Sequence, residues 1–168
     1  NRKIKILILG PKGLLGNQLV ENFARCETFQ VFPCEWRFDY KNQEESLKEL
    51  IKISSALNPN YIINGIVLTK SLCKEINHTL SVNSILPHLI VEACYSKDLK
   101  LIHISSDGVF NGKKGDYTEE DQPDCVDLYG VSKVLGEVND EKNLTIRTSI
   151  IGLEKTKKTG LMEWFLSQ

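Results

Sequence analysis

The sequence predicts an α/β protein built on a doubly wound parallel sheet, and three observations predict it. Short apolar runs of strand length alternate with stretches that carry a helical stripe. A glycine-rich turn, Gly10 to Gly16, follows the first of those runs. A loop of about 18 residues, Asp107 to Asp124, rich in Gly, Asp, Asn and Pro, follows a later one, and long irregular connections in small domains tend to be binding elements.

Taken in order, the first run, Ile4 to Leu9, reads Ile-Lys-Ile-Leu-Ile-Leu and stops at Gly10-Pro11, the profile of a strand covered on both faces. A helix is expected from Gly13-Leu14 to about Arg25, with Leu15, Leu19, Val20 and Phe23 inward. A short strand at Gln30 to Cys34 and a second extended piece ending at Phe38-Asp39 come next. Glu44 to Leu57 carries the stripe Leu47, Leu50, Ile51, and Pro59 ends it. Then follow a strand at Tyr61 to Asn64, a helix at Val82 to Lys97, a strand at Leu99 to Ser105, a helix at Tyr129 to Asp140 and a last strand at Leu144 to Ser149. Strands alternating with helices close a parallel sheet through crossovers of one hand. Leu161 to Leu166 is amphipathic, and a helix there sets Leu161, Trp164 and Phe165 on a stripe that should be buried.

A length of 168 residues suits one domain spanning 1–168. An apolar fraction of 41%, a charged fraction of 26% and a net charge of −1 describe an ordinary soluble chain, with no broad field for nucleic acid or a membrane surface. No apolar run reaches the roughly 20 residues a membrane span needs. The five cysteines form no C-x-x-C pair, and an odd count suits a reducing compartment, so a cytoplasmic protein without a metal site is expected. Both ends read as cut. Asn1 stands barely ahead of a strand without an initiating Met, and Gln168 falls inside the amphipathic run.

Gly10, Gly13 and Gly16 have the spacing G-x-x-G-x-x-G, one residue looser at its start than G-x-G-x-x-G. One glycine turns the chain after the strand, the next lets backbone approach a pyrophosphate, and the third lets helix and strand pack closely. Phosphate would then meet free N–H groups, including those of Leu14 and Leu15, and the positive end of the helix dipole. The same spacing serves a strand-to-helix turn that binds nothing. The apolar strand before it and the helix after it are the context a dinucleotide requires, and no Gly-Lys-Ser/Thr completes a P-loop. The doubly wound sheet is therefore expected to be a Rossmann fold that holds NADP(H) or NAD(H).

Tyr129-Gly130-Val131-Ser132-Lys133 puts a phenol and an ammonium one helical turn apart, on one face. A lysine cation favours phenolate and brings a tyrosine toward the working range of a general acid. Ser105 and Ser106 stand at the carboxyl end of the preceding strand. Ser106 with Tyr129 could clamp one carbonyl oxygen, while alone the serines read as a strand-to-loop cap.

Together, the glycine turn, Asn64, Ser105-Ser106-Asp107, Tyr129-x-x-x-Lys133 and Ile146-Arg147-Thr148 resemble the extended short-chain dehydrogenase/reductase family, in its dTDP-4-dehydrorhamnose reductase-like branch of sugar-nucleotide reductases. The segment Ile104-Ser-Ser-Asp-Gly-Val-Phe-Asn-Gly112 is similar to that branch's I-S-T-D-Y-V-F-D-G, and the likeness runs over nearly the whole chain. The resemblance implies Tyr129 as proton donor, Lys133 as the residue that lowers its pKa and holds the nicotinamide ribose, and Ser106 as the hydroxyl that polarises a C4 ketone. It places Asp107 near the sugar hydroxyls, Asp39-Tyr40 beside the adenine, and Asn64-Gly65-Ile66-Val67 against the cofactor, where the branch has N-A-A-A. Asn83 matches an asparagine of the following helix, with a helix-interior role equally open.

Three residues depart from the pattern. Gly108 replaces an aromatic, Ser106 a threonine, and Ile66-Val67 are bulkier than alanines. Full-length members continue into a smaller C-terminal portion that supplies much of the substrate site, so that portion is expected to be largely missing. Glu35 would favour the ribose 2′-OH of NAD and Arg37 the 2′-phosphate of NADP, with a slight lean to NADP(H). The implied partner is a nucleotide sugar from surface-polysaccharide precursor synthesis, with no nucleic acid or membrane partner and a homodimer as the candidate assembly. The alternatives are an epimerase or dehydratase of a nucleotide sugar and a non-catalytic NADP-binding regulatory subunit, since the branch also resembles the regulatory subunit of methionine adenosyltransferase.

Overall fold

Five strands form one sheet: β1 (Ile4–Leu9), β2 (Phe29–Cys34), β3 (Tyr61–Asn64), β4 (Lys100–Ile104) and β5 (Leu144–Ile146). The helices between and after them are α1 (Leu14–Ala24), α2 (Gln43–Leu57), α3 (Ile76–Leu80), α4 (Leu86–Tyr95), α5 (Leu128–Leu135) and α6 (Leu161–Leu166). The structure is a computed structural model and describes residues 2–95, 98–153 and 160–168.

All strand pairs are parallel and the order is β2-β1-β3-β4-β5. The chain steps from β1 to β2 in one direction and crosses back to β3 in the other. The reversal point therefore lies between β1 and β3, and the loops that leave their carboxyl ends part there to form a crevice. Strand β1, central and covered on both sides, buries its last four residues, Ile6 to Leu9. Leu7 and Leu9 point to one face, with Ile62, Leu101, Leu50 of α2 and Leu86 and Ile90 of α4. Ile6 and Ile8 point to the other, with Ile63 and, from α1, Leu19, Val20 and Phe23. The period of two along the strands and the helical stripes of α1 and α2 thus meet in two cores, one on each face of the sheet.

The doubly wound parallel α/β sheet follows the sequence expectation, and so do β1, β3 and α2 to within a residue. The extended piece expected to end at Phe38-Asp39 is not a strand. Trp36 drops into the core instead, with Phe38 packed against the same cluster, so the apolar alternation there marks a loop that plugs the core. Leu15, expected inward with Leu19 and Phe23, lines the crevice at the start of α1.

The helix expected from Val82 begins at Ile76 and passes through a π-helical turn, Ser81–Ile85, before α4. Its first turns bury Thr79, Ser81, Asn83 and Ser84, so no apolar stripe announces them. The expected end at Lys97 lies outside the described residues. Helix α5 stops at Leu135 rather than Asp140, and the next residue, Gly136, runs under another backbone: a Cβ there would lie 2.0 Å from the Asn83 carbonyl oxygen. Strand β5 ends at Ile146, and Arg147 beyond it is committed to Glu137. Helix α6 forms, and its stripe of Leu161, Trp164 and Phe165 is not covered by the described residues. Among the described residues no helix is long and apolar enough to cross a membrane, and no cluster of His, Cys, Asp and Glu is placed to hold a metal ion.

Candidate functional site

The crevice begins with the turn after β1. Gly10 holds φ at +73°, a region that side chains with a Cβ avoid, and Gly13 closes the turn by donating its N–H to the Gly10 carbonyl at 3.1 Å. Gly13 is also the N-cap of α1 and carries no capping side chain, so the first-turn N–H groups of that helix are left for an anion. A Cβ on Gly16 would lie 2.1 Å from the Gly10 carbonyl oxygen, which fixes how closely helix and turn can pack. Beside the turn, Lys12 pairs with Glu35 at the end of β2, Nζ to Oε2 2.6 Å, with both side chains largely exposed.

The opposite wall leaves β3 as Asn64-Gly65-Ile66-Val67. Asn64 is buried, and its Oδ1 accepts the Ile66 N–H at 3.1 Å while Gly65 donates to the Leu9 carbonyl at 3.1 Å. The two walls touch: a Cβ on Gly10 would lie 3.0 Å from the Gly65 carbonyl oxygen. Further along, Asn83 of the π-helical turn clamps the wall, accepting the Leu68 N–H at 2.8 Å and donating to the Leu68 carbonyl at 3.0 Å and to Ser132 Oγ at 3.0 Å. A buried asparagine that satisfies both polar groups of a loop residue is a fixed strut.

At the carboxyl end of β4 stand Ser105, Ser106 and Asp107. Ser106 Oγ accepts the Gly108 N–H at 3.0 Å and donates to Asp107 Oδ1 at 3.2 Å, while Asp107 Oδ2 accepts from Ser149. Ser105 turns away and donates to Glu137 Oε1 at 2.7 Å. Glu137 in turn takes both Nε (2.8 Å) and Nη2 (2.7 Å) of Arg147, a bidentate pair that raises the arginine pKa through that hydrogen bond.

Helix α5 brings Tyr129 and Lys133 to the same place. Asp127 caps it by accepting the Gly130 N–H at 3.1 Å. Gly130 lets the helix settle on the Ser106 loop, since a Cβ there would lie 2.5 Å from the Gly108 carbonyl oxygen. Ser106 and Tyr129 consequently face one another across Gly108, whose own Cβ would sit 3.2 Å from Ser106 Oγ and 3.3 Å from the Tyr129 ring. Lys133 is 1% exposed and donates from Nζ to the Ile104 carbonyl at 2.8 Å. Burial draws its pKa down to about 8, against an opposing pull from Glu137.

One cleft of about 1130 Å³ gathers most of the residues singled out in the sequence. Gly13, Leu14, Leu15, Asn64, Gly65, Ile66, Val67, Ser105, Ser106, Asp107, Tyr129 and Lys133 all line it. Gly10 and Gly16 lie outside that lining and set the turn that carries Gly13, Gly16 by packing against the Gly10 carbonyl. Arg37, Asp39 and Tyr40 lie outside that lining. Tyr40 stacks on His78 with ring centroids 4.4 Å apart, and Asp39 accepts the Lys41 N–H at 3.0 Å. Lys12, Asn17, Thr148 and Ser149 also line the cleft and were not singled out for it. Gly130 was passed over as well, although it sits inside the Tyr-x-x-x-Lys motif, where only its missing side chain could have drawn notice. A second cavity of about 910 Å³ lies beside β5 and shares Asp107 with the cleft.

A model of the RmlD substrate binding domain matches residues 4–160. The chain is 30% identical over 155 residues to a dTDP-4-dehydrorhamnose reductase of Aggregatibacter actinomycetemcomitans, covering 86% of this chain and 51% of that protein. It is 28% identical over 142 residues to methionine adenosyltransferase 2 subunit beta of Xenopus tropicalis, covering 79% of this chain and 41% of that one. Among solved structures, the dTDP-4-dehydrorhamnose reductase of Bacillus anthracis in complex with NADP superposes with a TM-score of 0.77 at 27% identity, over 88% of this chain and 54% of that one. The chain spans about half the length of the curated relatives it matches.

Proposed function

The chain belongs to the RmlD substrate binding domain family, and from that premise we propose that the whole protein reduces the C4 ketone of a nucleotide-activated deoxysugar with NAD(P)H, in the synthesis of surface-polysaccharide precursors. The observation that carries this reading is convergence: the glycine turn, Ser106, Tyr129 and Lys133 line or shape one cleft. Residues 1–168 would form its cofactor domain.

The residues present fit a dinucleotide. Gly10 and Gly16 leave no room for a Cβ beneath the turn, and the uncapped start of α1 offers N–H groups where a pyrophosphate would lie. Bound there, the reduced nicotinamide would supply the hydride. Tyr129 supplies the proton for the carbonyl oxygen. Lys133, still largely cationic at neutral pH, lines the same cleft as Tyr129 and offers its remaining N–H groups to the ribose. Ser106 turns its hydroxyl from Asp107 toward the same oxygen and donates to it as negative charge develops. Asp107, held by Ser149, faces the sugar. Because Lys12 neutralises Glu35, the carboxylate at the end of β2 repels a 2′-phosphate less, and NADP(H) is slightly favoured over NAD(H).

The test is the full-length protein with a dTDP-4-keto-6-deoxysugar and NADPH or NADH, followed by loss of nicotinamide absorbance, for wild type and Tyr129→Phe. Net oxidation that falls by about 10²–10⁴-fold in the variant, with cofactor affinity kept in a calorimetric titration, is expected. Undiminished turnover would remove Tyr129 as the acid. Conversion of the sugar without net oxidation would identify an epimerase or dehydratase. The similarity to methionine adenosyltransferase 2 subunit beta supports one further reading, a cofactor-binding regulator. Cofactor binding without any sugar chemistry, joined to a changed activity of a partner enzyme, would favour it.

A further inference from the structure

Next to Asn64 in the sheet, at its register partner on β4, lies His103, a 1% exposed imidazole that does not line the cleft. Its Nδ1 lies 3.3 Å from Asn64 Nδ2. The direction of that bond is fixed by the other end of the amide. Asn64 Oδ1 accepts the Ile66 N–H, so the atom facing His103 is the NH2 donor, and Nδ1 must be the acceptor. The imidazole proton therefore sits on Nε2, a buried atom without a hydrogen-bond partner among the described residues. Burial first, then the nearby Lys133 and His88 charges, lower the ring's pKa to about 3 and keep it neutral.

An asparagine amide can turn over by 180° at little cost unless both of its ends are specified. Reversed, Asn64 would present NH2 to the Ile66 N–H, donor against donor, and would release the residue that follows Gly65 in the wall. Among the described residues only His103 specifies the Nδ2 end. We propose that His103 is a positioning residue for the cofactor cleft: by accepting from Asn64 it holds the amide in the one orientation that secures Ile66 N–H, and so sets the Gly65-Ile66-Val67 wall against the glycine turn. This rests on the reading of the cleft as a dinucleotide site.

The variants that separate this from bulk packing are His103→Phe, which fills the space without an acceptor, and His103→Asn, whose side-chain oxygen can take the place of Nδ1. Measured by calorimetry with NADP(H), His103→Phe should bind about tenfold more weakly, the scale of one buried hydrogen bond and its unsatisfied partner. His103→Asn should regain most of that affinity even though it leaves the larger cavity. On an Asn64→Leu background, His103→Phe should cost nothing further. A cofactor-free reading runs beside it: in nitrogen-15 spectra of the wild type the ring should be the Nε2–H tautomer, and exchange of the Ile66 amide should quicken in His103→Phe but not in His103→Asn. Affinity that tracks side-chain volume rather than the acceptor, additive costs in the double variant, or an Nδ1–H tautomer would each overturn the proposal. If the wild type binds no dinucleotide while the tautomer and exchange results hold, the cofactor reading fails and the positioning of the wall stands.

Discussion

The two sides of the cleft are built by opposite means. On the side of the glycine turn, Gly10, Gly13 and Gly16 matter through side chains they lack, and the close contacts are between backbone atoms, within the turn for Gly13 and Gly16 and with the β3 loop for Gly10. On the other side, Ser106, Tyr129 and Lys133 present side chains brought in from a strand end and a helix, and a buried ammonium has to be tolerated there. The first side is made of backbone, with one exposed ion pair, Lys12–Glu35, beside it. The second depends on tertiary docking through Gly130 and the Ile104 carbonyl, and burial lowers the pKa of its lysine to about 8. Damage to one side should therefore separate from damage to the other.

The sharpest separation is expected from Ser106→Ala. On the proposed role of Ser106 as donor to the carbonyl oxygen, loss of its hydroxyl costs about 10²–10³-fold in turnover. Because the Ser106 hydroxyl bonds to Asp107 and Gly108 rather than to the glycine turn, the dissociation constant for NADP(H) should be unchanged in the same protein. Equal losses in kcat and in cofactor affinity would erase the distinction between the two sides.

The converse is Gly16→Ala. A Cβ 2.1 Å from a carbonyl oxygen must push helix α1 off the turn, an overpacking worth about 1–3 kcal/mol in urea unfolding. Cofactor affinity should fall with it, while Tyr129 and Lys133 keep their places on α5. Normal stability and binding in this variant would mean that turn and helix are not rigidly joined.

A smaller effect distinguishes the sides by pH. His103 holds a folded pKa of about 3 against the ordinary 6.5, so the unfolded chain takes up a proton that the folded one refuses as pH falls through that window. Stability contributed by the neutral ring is complete above about 6.5 and declines below it. Lys133, lowered from 10.5 to about 8, acts in the alkaline range: there the unfolded chain holds the extra proton, and stability rises with pH between the two values. Melting temperatures of wild type and His103→Asn, compared from pH 7 down to pH 4, should diverge, the variant losing less. Parallel curves would show that His103 takes up a proton as readily folded as unfolded.

The same contrast explains what could be read in the sequence. The glycine turn, β1, α1 and α2 are written in local spacing, and their boundaries came within a residue or two. The Tyr129/Lys133 pair was also visible as a spacing, but its depth was not, because the burial of Lys133 comes from β4 and the docking of α5. Most obscure were polar residues that serve as core. Thr79, Ser81, Asn83 and Ser84 are buried where an apolar stripe would be sought, so the start of the helix through Ile76 was missed along with the strut Asn83 makes to Leu68. Trp36 misled in the other direction, since its alternation with Phe38 imitates a strand while both rings belong to a loop. His103 looked like one more residue of an apolar strand, and nothing in its spacing pointed to Asn64.

Gly10 and Gly65 lie in loops from different strands, yet each presses on the backbone next to the other: a Cβ on Gly10 meets the Gly65 carbonyl, and a Cβ on Gly65 would come 3.0 Å from the Leu9 carbonyl, the residue just before Gly10. Two positions joined in this way are not free to drift independently. A side chain gained at position 65 requires the Leu9–Gly10 peptide to give way, and that shift moves the glycine turn. Substitutions at this crossing should therefore be strongly epistatic, and the two loops constitute a single unit of inheritance although 54 residues separate their glycines along the chain.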